Sequence, residues 1–303
     1  MFDRRSILAG LAGAPLAASG AFAQADWRQR FPELVFAVVP AENATGVTER
    51  FTPFAQYLAR ELGVRVTLRI ANDYAAVIEG QRVGNIHIGY YGPSSFARAL
   101  MTGAQITAVA QDVNEDGSTG YFSVFYVRRD SPFQNLDDLR GRALALVDPN
   151  STSGNNVPRY VLSQRGIVPE QFFSRVINAG SHENAIIALN QGQVDVATNW
   201  WNSETESNLM RMSRRGMVRA EDFRIVFRSP EIVNSPHAVL NALGPDAIRA
   251  IQQAYLQVHE RDAAAFQRMT DGRARPFRAI TNEAYQPIVE LNRFVDNLRR
   301  QRS

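Results

Sequence analysis

The chain has 303 residues, with 33 basic and 30 acidic side chains, a formal charge of +3 and no cysteine. A balance so near neutrality gives no reason to expect nucleic acid as a partner, despite a pI of ≈ 9.4. Without cysteine there is neither a disulfide framework nor a thiolate metal site, so stability rests on burial.

Residues 1–23 read as an export signal, with Arg4 and Arg5, an apolar run at 7–18 and the small-x-small triplet Ala21-Phe22-Ala23. The run is too short to span a bilayer, so a cleaved signal fits better than an anchor. Paired arginines ahead of Ser6-Ile7-Leu8 fit a twin-arginine signal as well as the ordinary export route. Removing these 23 residues takes away one Asp and two Arg, leaving 280 residues and a charge of +2. No later stretch of about 18 apolar residues occurs, so a soluble mature protein outside the cytoplasm is expected.

Residues 34–39 form an apolar strand ending at Pro40, and 51–62 carry helical spacing through Phe51, Phe54, Ala55, Leu58 and Leu62. Residues 64–70 alternate like a strand, 74–83 read as a helix, and 86–90 as a buried strand. This succession is the signature of a doubly wound sheet with parallel strands, where ligands sit beyond the carboxyl ends of the strands. The pattern restarts at an apolar strand over 121–127, followed by the turn Arg129-Asp130-Ser131-Pro132. Strands at 143–147, 175–178 and 194–198 alternate with helices at 155–165 and 183–191, so two α/β units follow one another. Residues 224–228 read as a second strand crossing between the units, with helices filling the C-terminal region.

Between the strand at 143–147 and its helix lies Asp148-Pro149-Asn150-Ser151-Thr152-Ser153-Gly154. Three hydroxyls there meet the free N–H groups and the partly positive end of a starting helix. A phosphate-like group can dock on such a feature without Arg or Lys, although most Ser/Thr clusters at helix starts only cap the helix.

The blocks Asn72-Asp73-Tyr74, Gly89-Tyr90-Tyr91-Gly92, 148–154, Asn178-Ala179-Gly180-Ser181-His182, 194–199 and Pro276-Phe277-Arg278 occur in a specific order. In that order the chain resembles the phosphonate-binding proteins of ABC importers over nearly its whole mature length. The resemblance implies a type II periplasmic-binding-protein fold of the α/β class: two lobes, each a doubly wound sheet, joined by a two-strand hinge. It places lobe 1 at 31–121 plus 236–303 and lobe 2 at 122–235. It also implies a periplasmic location, an inner-membrane permease as partner, a monomer, and no cofactor or metal. Ser151, Thr152 and Ser153 would hold the phosphonate oxygens, Tyr91 and His182 would add donors from either side, and Tyr74 would lie along the ligand. Tyr90 and Tyr91 alternate in direction, and the family gives the cleft role to Tyr91.

The sequence departs from the family where members that take aminoethylphosphonate hold the ammonium with two carboxylates. The nearest positions are Asn202 and Ser235, and neither is charged. A primary amine desolvated beside them would lack compensation, so an alkylphosphonate or phosphite is expected instead. Trp200 and Trp201 either pack a lobe edge or form an aromatic wall, which would suit a quaternary-ammonium phosphonate or phosphate ester. Glu204, Glu206 and the run Arg211, Arg214, Arg215 read as solvated, and Ser94 and Ser95 as caps. His87 and His259 default to structure, while His237 stays open.

A secreted hydrolase is the competing class. There is no Gly-x-Ser-x-Gly elbow, zinc-protease motif or Walker loop, and His182-Glu183 has Ile186 at the second ligand position. Ser151, His182 and Asp195 are the residues such an enzyme would converge, yet several hydroxyls together suit holding an anion better than activating one oxygen. A binding protein is therefore expected rather than an enzyme, and a ligand-presenting sensor subunit would use the same cleft.

Overall fold

The computed structural model describes residues 26–300, so the expected signal at 1–23 lies outside the described residues. The strands in chain order are Glu33–Val38 (β1), Arg65–Ile70 (β2), Ile88–Tyr90 (β3), Ile106–Asn114 (β4), Gly120–Arg128 (β5), Ala143–Leu146 (β6), Arg175–Asn178 (β7), Val196–Ser203 (β8), Glu206–Ser207 (β9), Phe223–Arg228 (β10), Ile232–Val233 (β11), Pro236–Leu240 (β12) and Ala274–Arg278 (β13). The α-helices are Trp27–Arg30 (α1), Ala44–Leu62 (α2), Tyr74–Arg82 (α3), Pro93–Met101 (α4), Val157–Gln164 (α5), Pro169–Phe172 (α6), His182–Asn190 (α7), Asn208–Arg214 (α8), Pro245–Arg261 (α9), Ala263–Thr270 (α10) and Gln286–Arg300 (α11).

These elements build two sheets. One has six strands in the order β13-β4-β12-β3-β1-β2; the other follows β10-β5-β8-β6-β7, with β11 on β5 and β9 on β8. The pairs β1-β2, β1-β3, β6-β7 and β6-β8 are parallel, as strand-helix-strand succession requires. Both sheets are nevertheless mixed, because β12 runs antiparallel to β3 and β4, and β5 antiparallel to β8 and β10. The chain passes between sheets twice, after β4 and between β11 and β12. Residues 224–228 do not make the second crossing: β10 stays in the second sheet, paired to β5. Fully buried β12 and antiparallel β4 and β13 occupy ground the sequence reading left to helices and loops.

Local chemistry fixes the helix starts. Asn43 accepts from Gly46 N at 2.9 Å and so begins α2 seven residues ahead of the apolar spacing at Phe51, while left-handed Gly63 ends it. Asp73, Ser181 and Ser207 cap α3, α7 and α8 in the same way. In the first lobe Phe36, Phe51, Phe54, Leu58, Tyr255 and Phe277 join one core. In the second, alternation along β5 sends Val124 and Tyr126 into one cluster and Phe125 and Val127 into another, so both faces of the sheet are covered.

The two lobes touch across the space between the sheets. His182 N donates to Ala41 O at 3.1 Å, Asn43 N to Glu183 Oε2 at 2.9 Å, and Ser94 N to Thr152 Oγ1 at 2.8 Å. At the back, α11 packs against both α4 and α5, with Asn292 Nδ2 donating to Ser94 O at 2.8 Å.

Candidate ligand-binding site

The Ser/Thr loop leaves the carboxyl end of β6 and winds first as a π-turn over Thr152–Asn156, then as α5. Asn156 N bonds Ser151 O at 3.0 Å, an i→i+5 closure that widens the turn; such turns recur at functional sites. Gly154 permits it, since a Cβ there would lie 2.4 Å from the Val147 side chain. Ser123 Oγ donates to Ser153 O at 2.6 Å and Thr198 Oγ1 to Gly154 O at 2.8 Å, which clamps the loop onto β5 and β8. The first N–H groups of this helix have no acceptor in a preceding turn, and the peptide dipoles make that end partly positive.

Around the loop the side chains supply further donors. Ser151 Oγ lies 3.2 Å from His182 Nε2 and accepts from Gly154 N at 3.1 Å. Thr152 Oγ1 accepts from Ser94 N, so any bond its own hydroxyl donates goes elsewhere. His182, 3% exposed at the start of α7, has its pKa pushed down to about 3 by burial, so its ring is neutral and carries one N–H. Burial pushes the Tyr121 phenol up to about 12, with the Thr152 and Ser153 hydroxyls pulling the other way. Burial also raises the Tyr74 phenol, with Asp148 adding to the effect and the Ser151 hydroxyl opposing it. Both phenols therefore stay protonated at neutral pH. Tyr74, Tyr121, Ser151, Thr152, Ser153 and His182 all line one interlobe cavity of ≈ 130 Å³. A cavity of about 150 Å³ holds a benzene-sized molecule, so the space suits a small ligand.

The rest of the cavity wall is of another kind. Asp112, 28% exposed, accepts from Tyr90 Oη at 2.6 Å and faces His237 Nε2 at 3.3 Å. Asn114 Oδ1 accepts from Asn202 Nδ2 at 2.7 Å and Asn234 Nδ2 at 3.1 Å. Arg50 is bound by Glu42; Arg211 is bound by Glu206 at 2.6 Å, with Asp271 at 3.6 Å. Asp112, Asn114, Asn202, Arg50 and Arg211 also line a smaller adjoining cavity that none of the hydroxyl group borders. The hydroxyl set and the ionised set are thus opposite ends of one cleft.

Among the residues singled out from sequence, Tyr74, Ser151, Thr152, Ser153, His182, Trp200, Asn202 and Ser235 line this cavity. Tyr91 borders it, but its phenol turns into the first lobe and donates to Gln81 Oε1 at 2.6 Å; the cleft-facing phenol of the pair is Tyr90. Trp201 does not line the cavity. One residue further along β8 it points to the opposite face, 5.7 Å from Phe122 and under Arg228 at 5.4 Å. The face of Trp200 is already covered by the Arg211 guanidinium at 4.8 Å, so the two tryptophans form no cage for a cation. Residues 200–207, which align loosely with the family, are the outward continuation of β8 into a hairpin with β9, and this continuation carries Asn202 into the cleft.

Glu206 and the arginines are not a solvated face. Glu206, 5% exposed, bridges Arg211 and Arg214, and Arg214 reaches Asp271 of the other lobe at 3.3 Å. Arg215 spans Glu183 at 2.5 Å and Glu42 at 3.8 Å. Asp148 and Asp195 hold the backbone N–H groups of Asn150 and Ala143 and do not line the cavity. Sequence reasoning missed Tyr121 and Asp112. Tyr121 opens an apolar strand and so reads as core, while Asp112 acquires meaning only when β4 and β12 pair and set it beside His237.

Comparison with known proteins agrees on this architecture. The family model described as "ABC transporter, phosphonate, periplasmic substrate-binding protein" matches residues 36–285. A phosphonates-binding periplasmic protein of Escherichia coli is 35% identical over 268 residues, covering 86% of this chain and 76% of its own. A binding-protein component of a Pseudomonas aeruginosa ABC phosphonate transporter superposes with a TM-score of 0.78 at 27% identity, covering 87% of this chain and 86% of that one. PhnD1 of Prochlorococcus marinus, solved with methylphosphonate, superposes with a TM-score of 0.77 at 20% identity over 88% of this chain and 98% of that one.

Proposed function

The chain belongs to the family of periplasmic phosphonate substrate-binding proteins of ABC transporters, and on that premise we propose that its interlobe cleft binds a phosphonate-type oxyanion and delivers it to an inner-membrane permease. It is a transport component and not an enzyme. The observation that carries the ligand is the convergence of the Ser151, Thr152 and Ser153 hydroxyls, His182 and the Tyr74 and Tyr121 phenols on one small cavity. A tetrahedral oxyanion needs many donors at once, and hydrogen bonds to a charged acceptor are the strong kind. The relative from Prochlorococcus marinus binds methylphosphonate, which is of the same chemical class and size.

Within that class the proposed ligand is an alkylphosphonate or phosphite in preference to aminoethylphosphonate. Asn202 and Ser235 bring no charge, Glu42 is taken up by Arg50, and Asp112 already accepts from Tyr90 Oη beside His237. Asp148 and Asp195 do not line the cavity, but Glu42 and Asp112 do, so the cleft holds carboxylate acceptors for the proton that inorganic phosphate retains. Lobes 31–121 plus 236–303 and 122–235 would hinge about the two crossings and close on the ligand as a monomer.

Thermal unfolding of the mature protein against methylphosphonate, phosphite, aminoethylphosphonate and phosphate tests this. A ligand at a hundred times its Kd stabilises by about 2.7 kcal/mol, which moves the midpoint by several degrees. The proposal expects shifts with methylphosphonate or phosphite, and no shift with any member would overturn it.

A further inference from the structure

Resting on that reading, we propose that the end of the cleft away from the Ser/Thr loop is a second recognition site, in which Asp112 with Asn202 and Asn234 accepts a hydrogen bond from a hydroxyl on the ligand's substituent. The physiological class is then a hydroxyalkylphosphonate, and methylphosphonate or phosphite is an incomplete ligand.

Three features of this end support the assignment. Among the described residues Asp112 is its one carboxylate with no arginine partner: Glu42 is matched by Arg50, and Glu206 by Arg211 and Arg214. The Asp112 backbone is fixed on both sides, since its N–H donates to Ser235 O at 3.3 Å and its carbonyl accepts from Asn234 Nδ2 at 3.1 Å. Its carboxylate is therefore held at the crossing between lobes, with Tyr90 and His237 each directed at one oxygen. Finally, Asn202 and Asn234 both use their amide N–H to reach Asn114 Oδ1, which leaves their own carbonyl oxygens as the acceptors they still offer. A carboxylate has room for about four hydrogen bonds and each amide oxygen for two, so acceptor capacity remains after the internal bonds are counted.

The charge lining the cavity argues for a neutral donor. Arg50 and Arg211 line the same space, paired with Glu42 and with Glu206 and Asp271, while the Asp112 carboxylate is already met by Tyr90 Oη and His237 Nε2. A hydroxyl needs only an acceptor, whereas an ammonium would stand beside two guanidiniums and would need a carboxylate not already shared with other donors. The ligand so described has an oxyanion for the donor end and a proton donor for the acceptor end, joined by a linker short enough for a ≈ 130 Å³ cavity.

The test is calorimetric titration of the mature protein with ethylphosphonate, hydroxyethylphosphonate, aminoethylphosphonate and methylphosphonate, repeated on Asp112→Ala and Asp112→Asn. Hydroxyethylphosphonate should bind the wild type about tenfold more tightly than ethylphosphonate, the worth of one charge-assisted hydrogen bond. That ratio should fall to about one in Asp112→Ala and to an intermediate value in Asp112→Asn, which keeps an acceptor but loses the charge. Ratios within one variant are insensitive to a fraction of unfolded protein. Equal affinities for the ethyl and hydroxyethyl compounds in the wild type overturn the second site and leave the oxyanion reading standing. Tighter binding of aminoethylphosphonate than of hydroxyethylphosphonate overturns its neutral character. Silence of all four compounds overturns the oxyanion reading itself, and this inference with it.

Discussion

At one end of the cleft Ser151, Thr152, Ser153, Tyr74, Tyr121 and neutral His182 present donors and no formal charge; at the other, Asp112, Glu42, Arg50 and Arg211 are charged groups among asparagines. The donor end is held by backbone: a π-turn, a glycine with no room for a Cβ, and two hydroxyl clamps from neighbouring strands. The charged end is held by ion pairs, several of which join one lobe to the other. Fixed neutral donors can hold an anion without a counter-ion, whereas paired charges tie closure to the ionic environment.

The largest expected effect concerns the neutrality of the donor end. The folded pKa of His182 is pushed down to about 3 by burial from an ordinary value near 6.5, so on acidification the unfolded chain takes up a proton that the folded chain refuses. Stability should therefore be intact above about pH 6.5 and fall as pH drops towards 3, by up to about 1.4 kcal/mol per pH unit from this group. Urea unfolding across that range, compared with His182→Gln, measures the slope; an equal slope in the variant would break the account of a neutral histidine.

Next in size is Gly154→Val, whose Cβ would fall 2.4 Å from the Val147 side chain. Overpacking of this kind costs about 1–3 kcal/mol, and here the strain should appear as lost methylphosphonate affinity because the π-turn must shift. Ser151→Ala, Thr152→Ala and His182→Ala should each weaken oxyanion binding by about 1–3 kcal/mol, since a buried acceptor loses its donor. Calorimetry on the three variants checks this, and unchanged affinity in all of them would detach the loop from the ligand. The smallest effect belongs to the charged end. Arg215→Ala removes a partly exposed bridge from Glu183 to Glu42 and should cost about 1 kcal/mol of affinity, accompanied by a weaker dependence of binding on salt.

The donor end was the more legible of the two in the sequence, and the reason is physical. Hydroxyl clustering at a strand-to-helix junction is a local signal, so Ser151, Thr152 and Ser153 could be located from neighbouring residues alone, as could the parallel strands from continuous apolar runs. The charged end depends on pairing between distant segments. Asp112 meets His237 through antiparallel β4 and β12, and Arg214 meets Asp271 across the lobes, neither of which leaves a periodic trace. Alternation along a strand would have separated Trp200 from Trp201, as it separated Tyr90 from Tyr91, had β8 been seen to run on to Ser203. For the tyrosines the family analogy selected Tyr91, whereas its phenol is engaged by Gln81.

On the proposed reading the Ser/Thr end, and not the charged end, holds the oxyanion. Titration of methylphosphonate, which has no substituent to reach Asp112, into the wild type, Ser151→Ala and Asp112→Ala tests it most directly. Affinity should drop about tenfold or more in Ser151→Ala and stay within about threefold in Asp112→Ala. The reverse order, with Asp112→Ala abolishing binding while Ser151→Ala retains it, would contradict the assignment of the two ends.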